Sequence, residues 1–154
     1  MESGVNEDAD LNQYSSILKC HWSYFEKWDE YKHLQFAKKY VGLKSMKKKQ
    51  MGSINAHSHT DQKLYALHMY LAYLKYGFGR ATTDVSIGIR HGKYTKKTGI
   101  QLIKKNDSLF PEELLNDYLH YFKMNKAQFF EILKKFVNKD LFKIVGKKII
   151  FKYK

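Results

Sequence analysis

Two arginines stand out among the residues that could do chemistry. The chain contains 26 lysines but only two arginines, Arg80 and Arg90, and both lie in the stretch YGFGRATTDVSIGIRHG, residues 76–92. A planar guanidinium binds a carboxylate or phosphate at two points, which the single ammonium group of lysine does not do. Because charged surface positions in this chain are mostly lysine, the two arginines indicate a specific electrostatic role.

Two interpretations of this stretch stay open. In the first, the glycines around Phe78 let a ligand approach the backbone, a helix capped by one of the two threonines offers free N–H groups, and Arg80 with Arg90 completes an anion pocket. In the second, Asp84 favours the helix dipole and pairs with one arginine as a structural clasp. The residues alone favour neither interpretation.

Other reactive side chains give weaker signals. His57-Ser58-His59 with Asp61 is the one metal-like cluster, but it lies in a polar loop without a second pair at ligand spacing, so no metal site is predicted. Cys20 lies beside His21, where a partly buried structural cysteine is the better interpretation than a nucleophile. The sequence has no GxxxxGKS/T loop, GxGxxG after a strand, HExxH or GxSxG. No catalytic residue is therefore predicted.

Composition limits the class of protein. The chain has 154 residues, of which 44% are hydrophobic and 16% aromatic, as expected for one globular domain with its own core. A single cysteine excludes an internal disulfide. No apolar run reaches about 18 residues, and the acidic start MESGVNEDAD is unlike a signal peptide, so we expect a cytoplasmic protein without membrane association.

Charge is distributed unevenly along the chain. The net charge is +13. Residues 1–30 carry two lysines and seven acidic residues, a net charge of −5, whereas residues 31–154 carry 26 basic and eight acidic residues, a net charge of +18. A basic body can bind nucleic acid or another polyanion. A lysine-rich surface composition is the simpler explanation.

Hydrophobic periodicity predicts a mainly α protein in three parts. Residues 1–21 form an irregular acidic leader, residues 22–140 a helical domain, and residues 141–154 a basic β-hairpin tail turning at Gly146-Lys147. Residues 44–61 form a long loop. Helices are predicted after Asp29, from residue 62 to 76, and after the threonines at 82 and 83, Thr95, Pro111 and Asn125.

The faces of two segments are also predicted. In the helix from residue 62 an apolar stripe is expected to face inward: Leu64, Leu67, His68, Leu71 and Leu74. The aromatic cluster before the first helix could stack on a base or a sugar ring, but core packing is the preferred interpretation. Its members are Trp22, Tyr24, Phe25, Trp28 and Tyr31.

One family resemblance extends over most of the chain. LKYGFGRATTDVSIGIRHGKYTKKTGIQLIKKND, followed by FPEELLNDYLHYFKMNKAQFFEILKKFVN, resembles the C-terminal part of the N-acetyl sugar amidotransferases of bacterial surface-polysaccharide and sialic-acid-like sugar pathways. The segment YFEKWDEYKHLQFAKKYVGL is similar to a stretch that precedes it in that family. The resemblance covers roughly residues 22–138. Its most specific phrase is K-F/Y-G-F-G-R-A-T-x-D, here Lys75 to Asp84.

The resemblance implies an ATP-dependent amidation. In the family, a PP-loop domain with an S-G-G-x-D-S motif adenylates the acetamido oxygen of a free or nucleotide-linked sugar, and ammonia from a partner glutaminase displaces AMP to leave an acetamidino group. This sequence lacks that motif, since Ser3-Gly4-Val5 has no second glycine or following aspartate. We therefore expect ATP and Mg²⁺ to bind a PP-loop subunit outside this chain. The chain itself is expected to be a split or truncated C-terminal half, inactive alone.

The resemblance also implies a set of substrate-binding residues. Carried over by position, these residues line the sugar or phosphate pocket: Lys75, Phe78, Arg80, Thr82, Asp84 and Arg90. Their implied role is orientation and charge neutralisation.

A second function class is a basic nucleic-acid-binding module. The predicted helices near 111–122 and 126–137 have helix-turn-helix spacing, and the tail from Lys143 is basic. However, the second helix begins NKAQFFEIL, which offers few side chains that could read bases.

Overall fold

The protein is mainly α with one C-terminal hairpin, as predicted. A computed structural model describes residues 19–59, 61–146 and 148–153, so most of the predicted leader lies outside the described residues. The regular elements are α1 (Glu30–Phe36), α2 (Lys63–Tyr76), α3 (Arg80–Arg90), α4 (Lys96–Asn106), α5 (Leu115–Phe122), α6 (Lys126–Lys135), β1 (Phe142–Val145) and β2 (Lys148–Phe151). No helix in the described part of the chain is long and apolar enough to cross a membrane.

The apolar core lies among α2, α5, α6 and the hairpin. One buried cluster joins α2 to α5 and α6, and a second joins α2 to the hairpin. Each fully buried large side chain stabilises the fold by about 1.5–3 kcal/mol. The members are Leu67, Leu115, Tyr118, Phe129 and Leu133 in the first cluster, and Leu74, Val137 and Phe142 in the second.

The hairpin is antiparallel, and its register pairs Phe142 with Phe151 and Val145 with Lys148. Gly146 has φ of 60°, which a glycine adopts without strain, and so it begins the predicted tight turn. Lys147, the second turn residue, lies outside the described residues. Because Phe142 belongs to the same cluster as Leu74, the hairpin closes one side of the helical core.

Helix α2 has the predicted length but not the predicted face. Leu67 and Leu74 are buried as expected, whereas Leu64 and His68 are exposed and Ala66 is buried instead. The helix is apolar on several sides, because it packs against the core on one side and against α3 through Tyr65 on another. A single apolar stripe therefore could not predict which residues of α2 are buried.

Helix α1 begins at the predicted cap, where the Asp29 carboxylate accepts from the N–H groups of Tyr31 and Lys32. The helix continues as a π-helical turn, Ala37–Val41, and ends at Gly42, which has φ of 73°. The wider turn rotates later residues off the α-helical stripe. At the end of this turn Val41 is 76% exposed.

The aromatic segment before α1 is exposed, so its predicted core role is wrong. Trp22 is 70% exposed and Trp28 62%, and Tyr24 and Phe25 are also exposed; only Tyr31 is partly buried. The rings of Trp22, Tyr24 and Phe25 contact one another instead of the helical core. Cys20 beside this segment is exposed as well, contrary to the expected partial burial.

Candidate functional site

The candidate site is a polar seam where α1, the loop segment 53–59 and α3 meet. Its central side chains are Glu30, Ser53, His57, Arg80 and Asp84. The apolar clusters lie elsewhere, so ion pairs and hydrogen bonds hold this part of the protein together. Buried polar groups are stable only when their partners are present, and the seam is therefore sensitive to the loss of any one of them.

Asp84 is the centre of the seam. Its Oδ2 accepts from the Ser53 hydroxyl at 2.9 Å and from the Ile54 N–H at 3.3 Å. Its Oδ1 lies 2.7 Å from Arg80 Nε, in a pair whose side chains are only 12% and 3% exposed. That contact is close, but it lacks the alignment of a hydrogen bond, and Oδ1 receives no directed donor from the described residues. The structure thus contains the clasp between one arginine and Asp84.

Burial raises the pKa of Asp84 above its usual value. The Arg80 guanidinium opposes this shift most strongly, and the donors Ser53 and Ile54 oppose it further. The carboxylate therefore depends on Arg80 to stay charged in a site that water hardly reaches.

The loop is folded against α1 by a local turn. Asn55 Oδ1 accepts from the N–H of Ser58 at 3.2 Å and from that of His57 at 3.4 Å, an arrangement typical of asparagine in turns. The turn directs the His57 ring to α1, where Nε2 lies 3.0 Å from Glu30 Oε1. Ser58 Oγ lies 3.4 Å from the same oxygen. The predicted loop therefore carries site residues and is not merely a connector.

A second set of polar and aromatic contacts links the loop to α2 and α3. The His59 ring stacks on Tyr65 with centroids 3.9 Å apart, and the Tyr65 hydroxyl accepts from Arg80 Nη1 at 2.8 Å. Arg80 thus contacts both Tyr65 and Asp84. Two different nitrogens of its guanidinium contact two separate groups of the protein, which differs from the expected two-point binding of a single anion.

The start of α3 differs from the expectation. The helix begins at Arg80, not after the threonines, and its N-cap residue is Gly79. The Asp107 carboxylate, which directly follows α4, accepts from the N–H of Gly79 at 2.9 Å, from the N–H of Thr82 at 3.0 Å and from the Thr82 hydroxyl at 2.5 Å. The predicted helix N-terminus is therefore occupied by a carboxylate of the same chain.

The remaining predicted site residues lie apart from this centre. Arg90 is the last residue of α3 and is exposed; ten residues separate it from Arg80, which corresponds to about 15 Å along a helix. Lys75 and Phe78 are exposed, and both contact Tyr76. The structure thus brings together Arg80 and Asp84, places Thr82 on Asp107, and leaves Lys75, Phe78 and Arg90 outside the seam. Their assignment to a sugar pocket stays a prediction.

Two cavities flank the seam. The first, about 290 Å³, lies among α1, the loop and α3, and Asp84 contributes to its wall. The second, about 430 Å³, is wider and has Arg80 in its wall. Glu30, Leu34 and His57 line both, so the Glu30–His57 pair forms part of the partition between them.

Comparison with known proteins identifies the family. A family model described as "LPS biosynthesis protein WbpG-like, C-terminal domain" matches residues 23–153. The chain belongs to this family. The match runs from the exposed aromatic segment through both strands of the hairpin, and so includes every residue of the seam. A search of curated proteins gives no match to the chain.

Sequence reasoning missed several residues of this WbpG-like domain that shape the site, among them Glu30, Ser53, Tyr65, Gly88, Tyr94 and Asp107. Gly88 carried a usable signal, because a glycine inside a helix indicates a close approach of another group. A Cβ there would lie 2.6 Å from Tyr94 Cε2 and 3.2 Å from the Tyr31 hydroxyl. The two acidic residues gave no local signal, because their partners lie about 25 residues away in the sequence.

Several histidine and acidic side chains of the described residues pair with other groups of the protein. No three histidine, cysteine, aspartate or glutamate side chains within residues 19–59, 61–146 and 148–153 come together as a metal site. His57 turns to Glu30 while His59 turns to Tyr65, so the His-Ser-His cluster does not converge. Asp107 also occupies the start of α3, where a phosphate could otherwise bind.

The helix pair with helix-turn-helix spacing consists of α5 and α6, joined at Lys123–Asn125. Asn125 and Gln128 form a capping box, so the start of α6 is used structurally. Two α6 lysines lie beside acidic side chains: Lys126 is 3.7 Å from Glu112, and Lys134 is 2.5 Å from Glu131.

Proposed function

We propose that this chain is the substrate-side part of an ATP-dependent N-acetyl sugar amidotransferase in lipopolysaccharide biosynthesis. The enzyme would convert an acetamido group into an acetamidino group. The family match over residues 23–153 is the observation that carries the lipopolysaccharide assignment. The amidotransferase reaction is supported by the resemblance of the segment from Lys75 to Asp84.

The chemistry separates binding from activation. An amide oxygen is a poor leaving group, so the acetamido oxygen has to be linked to phosphate before ammonia can displace it. ATP, Mg²⁺ and the adenylating residues would belong to a PP-loop part outside these 154 residues, and ammonia would come from a glutaminase partner. The role left to this domain is to hold the N-acetyl sugar in the orientation that both steps require.

The polar seam supports that role. Holding a sugar requires fixed donors and acceptors beside a cavity that can hold a ring, and sites of this kind are usually preformed. Glu30, His57 and Asp84 line the smaller cavity, and each is fixed by a partner within the protein. No covalent step has to involve these side chains.

A melting-temperature titration tests the proposal. The purified chain would be titrated with UDP-N-acetylglucosamine and, as a matched control, with UDP-glucose, which lacks the acetamido group. A ligand present at 100 times its dissociation constant stabilises the folded state by about 2.7 kcal/mol. For a chain of this size, that corresponds to a rise in melting temperature of roughly 5–10 °C.

We expect the N-acetylated ligand to raise the melting temperature more than UDP-glucose, and ATP to have no effect. CMP-linked N-acetyl sugars extend the test to sialic-acid-like substrates. If no N-acetyl sugar, free or nucleotide-linked, binds the chain, the substrate-side assignment is wrong. Stabilisation by a DNA duplex alone would support the nucleic-acid alternative.

A further inference from the structure

We propose that the smaller cavity, of about 290 Å³, is the subsite for the pyranose ring of the N-acetyl sugar, and that the phosphate of a sugar nucleotide stays outside it against Lys38 and Lys93. This inference rests on the proposed function and deepens it by giving the ligand a place and a direction. It also moves the sugar away from Arg90, which the sequence had suggested as part of an anion pocket.

The size of the cavity suits a single ring. Sites for small molecules usually range from about 300 to 1,000 Å³ and enclose most of the ligand. A volume of about 290 Å³ is at the lower end of that range. A whole sugar nucleotide would not fit, so the nucleotide has to extend outward.

The walls offer acceptors to hydroxyl groups. Glu30 Oε1 is shared by His57 Nε2 and Ser58 Oγ, while no donor from the described part of the chain reaches Glu30 Oε2. The Asp84 carboxylate and the Asn55 amide line the same cavity, but donors of the protein already occupy Asp84 Oδ2 and Asn55 Oδ1, so Glu30 is the main acceptor for a ligand. A sugar carries several hydroxyl donors, and a ring in this cavity would place one of them against Glu30 Oε2 in place of water.

Two tyrosine rings contribute aromatic surface to the same cavity. Tyr31 comes from α1, and Tyr94 follows the end of α3; both line the cavity. Gly88 lets them lie directly on α3, because a Cβ there would be 2.6 Å from Tyr94 Cε2. Aromatic rings bind the apolar C–H faces of a pyranose, so the cavity combines acceptors for hydroxyls with flat apolar surfaces.

The charged side chains of the lining indicate which end of a sugar nucleotide enters the cavity. Two carboxylates, Glu30 and Asp84, lie in the wall; Arg80 compensates the charge of Asp84, so Glu30 is the carboxylate that would repel a phosphate inside. The two lysines of the lining, Lys38 and Lys93, are exposed, and Lys93 Nζ lies 4.0 Å from the centroid of the Tyr31 ring. An anionic group therefore finds its counter-charges at the solvent-exposed edge of the cavity, and an uncharged ring finds an acceptor deeper inside.

Chemical-shift mapping locates the ligand without any substitution. The ¹⁵N-labelled full chain would be titrated separately with N-acetylglucosamine and UDP-N-acetylglucosamine, at concentrations that reach millimolar affinities. We expect both ligands to shift the backbone amides of the cavity segments, 30–35, 54–57, 84–88 and 93–94. The sugar nucleotide should shift additional amides next to the two lysines.

Two variants separate the ring from the phosphate. Glu30→Gln removes the negative charge of an acceptor and should lower the affinity for both ligands at least fivefold. The control Glu26→Gln, on the exposed segment before α1, should leave both affinities within twofold of the native values. The double variant Lys38→Gln/Lys93→Gln should weaken the sugar nucleotide at least fivefold and leave free N-acetylglucosamine within twofold. Lys39→Gln is the matched control for charge. Circular dichroism spectra and melting curves confirm that each variant is folded.

Each outcome has one meaning. Shifts confined to the cavity, together with the split between the two variants, support the inference. Shifts centred on Arg90, or elsewhere outside the smaller cavity, overturn it while leaving the proposed function intact. A lysine variant that weakens both ligands equally overturns the direction of binding. If no N-acetyl sugar binds, the proposed function fails together with the subsite.

Discussion

Replacing Arg80 by methionine tests whether the pair with Asp84 holds the seam together. Methionine keeps a flexible unbranched side chain but removes the guanidinium, which contacts Asp84 Oδ1 at 2.7 Å and the Tyr65 hydroxyl at 2.8 Å. Removing one partner of a buried ion pair costs about 3–5 kcal/mol. Because Ser53 and Ile54 still donate to Asp84 Oδ2, we expect the lower end, about 3 kcal/mol, or a fall in melting temperature of roughly 6–12 °C.

The cost should depend on pH. Burial already raises the pKa of Asp84, and removing Arg80 raises that pKa further because the guanidinium opposes the shift. A folded-state pKa above the unfolded value means that the folded protein holds the proton over a range where the unfolded chain has released it. The free energy of unfolding therefore falls as pH rises from the unfolded pKa, about 3.9, through the folded pKa. The loss in the Arg80→Met variant should be smaller at low pH than at neutral pH.

Urea unfolding followed by far-UV circular dichroism measures this effect at about pH 5 and about pH 7. Adding Asp84→Asn to the Arg80→Met variant removes the unpaired charge and should recover about 1–2 kcal/mol at neutral pH. Lys97→Met, which removes an exposed cation on α4, should change stability by less than about 0.5 kcal/mol. A loss in Arg80→Met of less than about 0.5 kcal/mol, or one equal at both pH values, would refute the reasoning.

Two further substitutions test the packing around α3 by the same unfolding measurement. Asp107→Ala removes the acceptor of three hydrogen bonds at the start of α3 and should lower the free energy of unfolding by about 3 kcal/mol. The control Asp117→Ala breaks only an exposed ion pair and should lower it by less than about 1 kcal/mol. Similar losses in the two variants would contradict the capping role of Asp107. Gly99→Ala places a Cβ 2.6 Å from Val85 Cγ1. Overpacking should lower the free energy of unfolding by about 2–3 kcal/mol, which outweighs the preference of helices for alanine. Gln101→Ala on the same helix should be neutral, and a Gly99→Ala variant as stable as the native chain would show that α3 and α4 can separate without cost.

Features that depend on neighbouring residues could be predicted from the sequence. Asp29, Thr95 and Asn125 each cap the helix that follows, and Gly77 ends α2 with φ of 80°. In each case both partners of the contact lie within a few residues, so the pattern contains the whole interaction. The mainly α class and the hairpin follow from the same local signals.

Features that depend on distant residues could not be predicted. The sequence suggested a threonine cap for α3, but Asp107 lies 25 residues after Thr82 and supplies that cap from outside the helix. The clasp between Arg80 and Asp84 was one of two open interpretations, because the spacing of four residues allows it. The pairing of Glu30 with His57 across 27 residues gave no pattern at all. The fold was therefore more predictable than the site, which is built almost entirely from long-range polar contacts.

The exposed aromatic segment has a spectroscopic consequence. Trp22 and Trp28 are the only tryptophans of the chain, and both lie in that segment, outside the buried clusters. Indole rings in contact with water emit at long wavelength in the folded protein and change little when the core melts. The intrinsic fluorescence of this chain would thus report the surroundings of one surface segment and not the state of the core. A blue shift on mixing with another protein would be a direct optical signal that this segment has been covered.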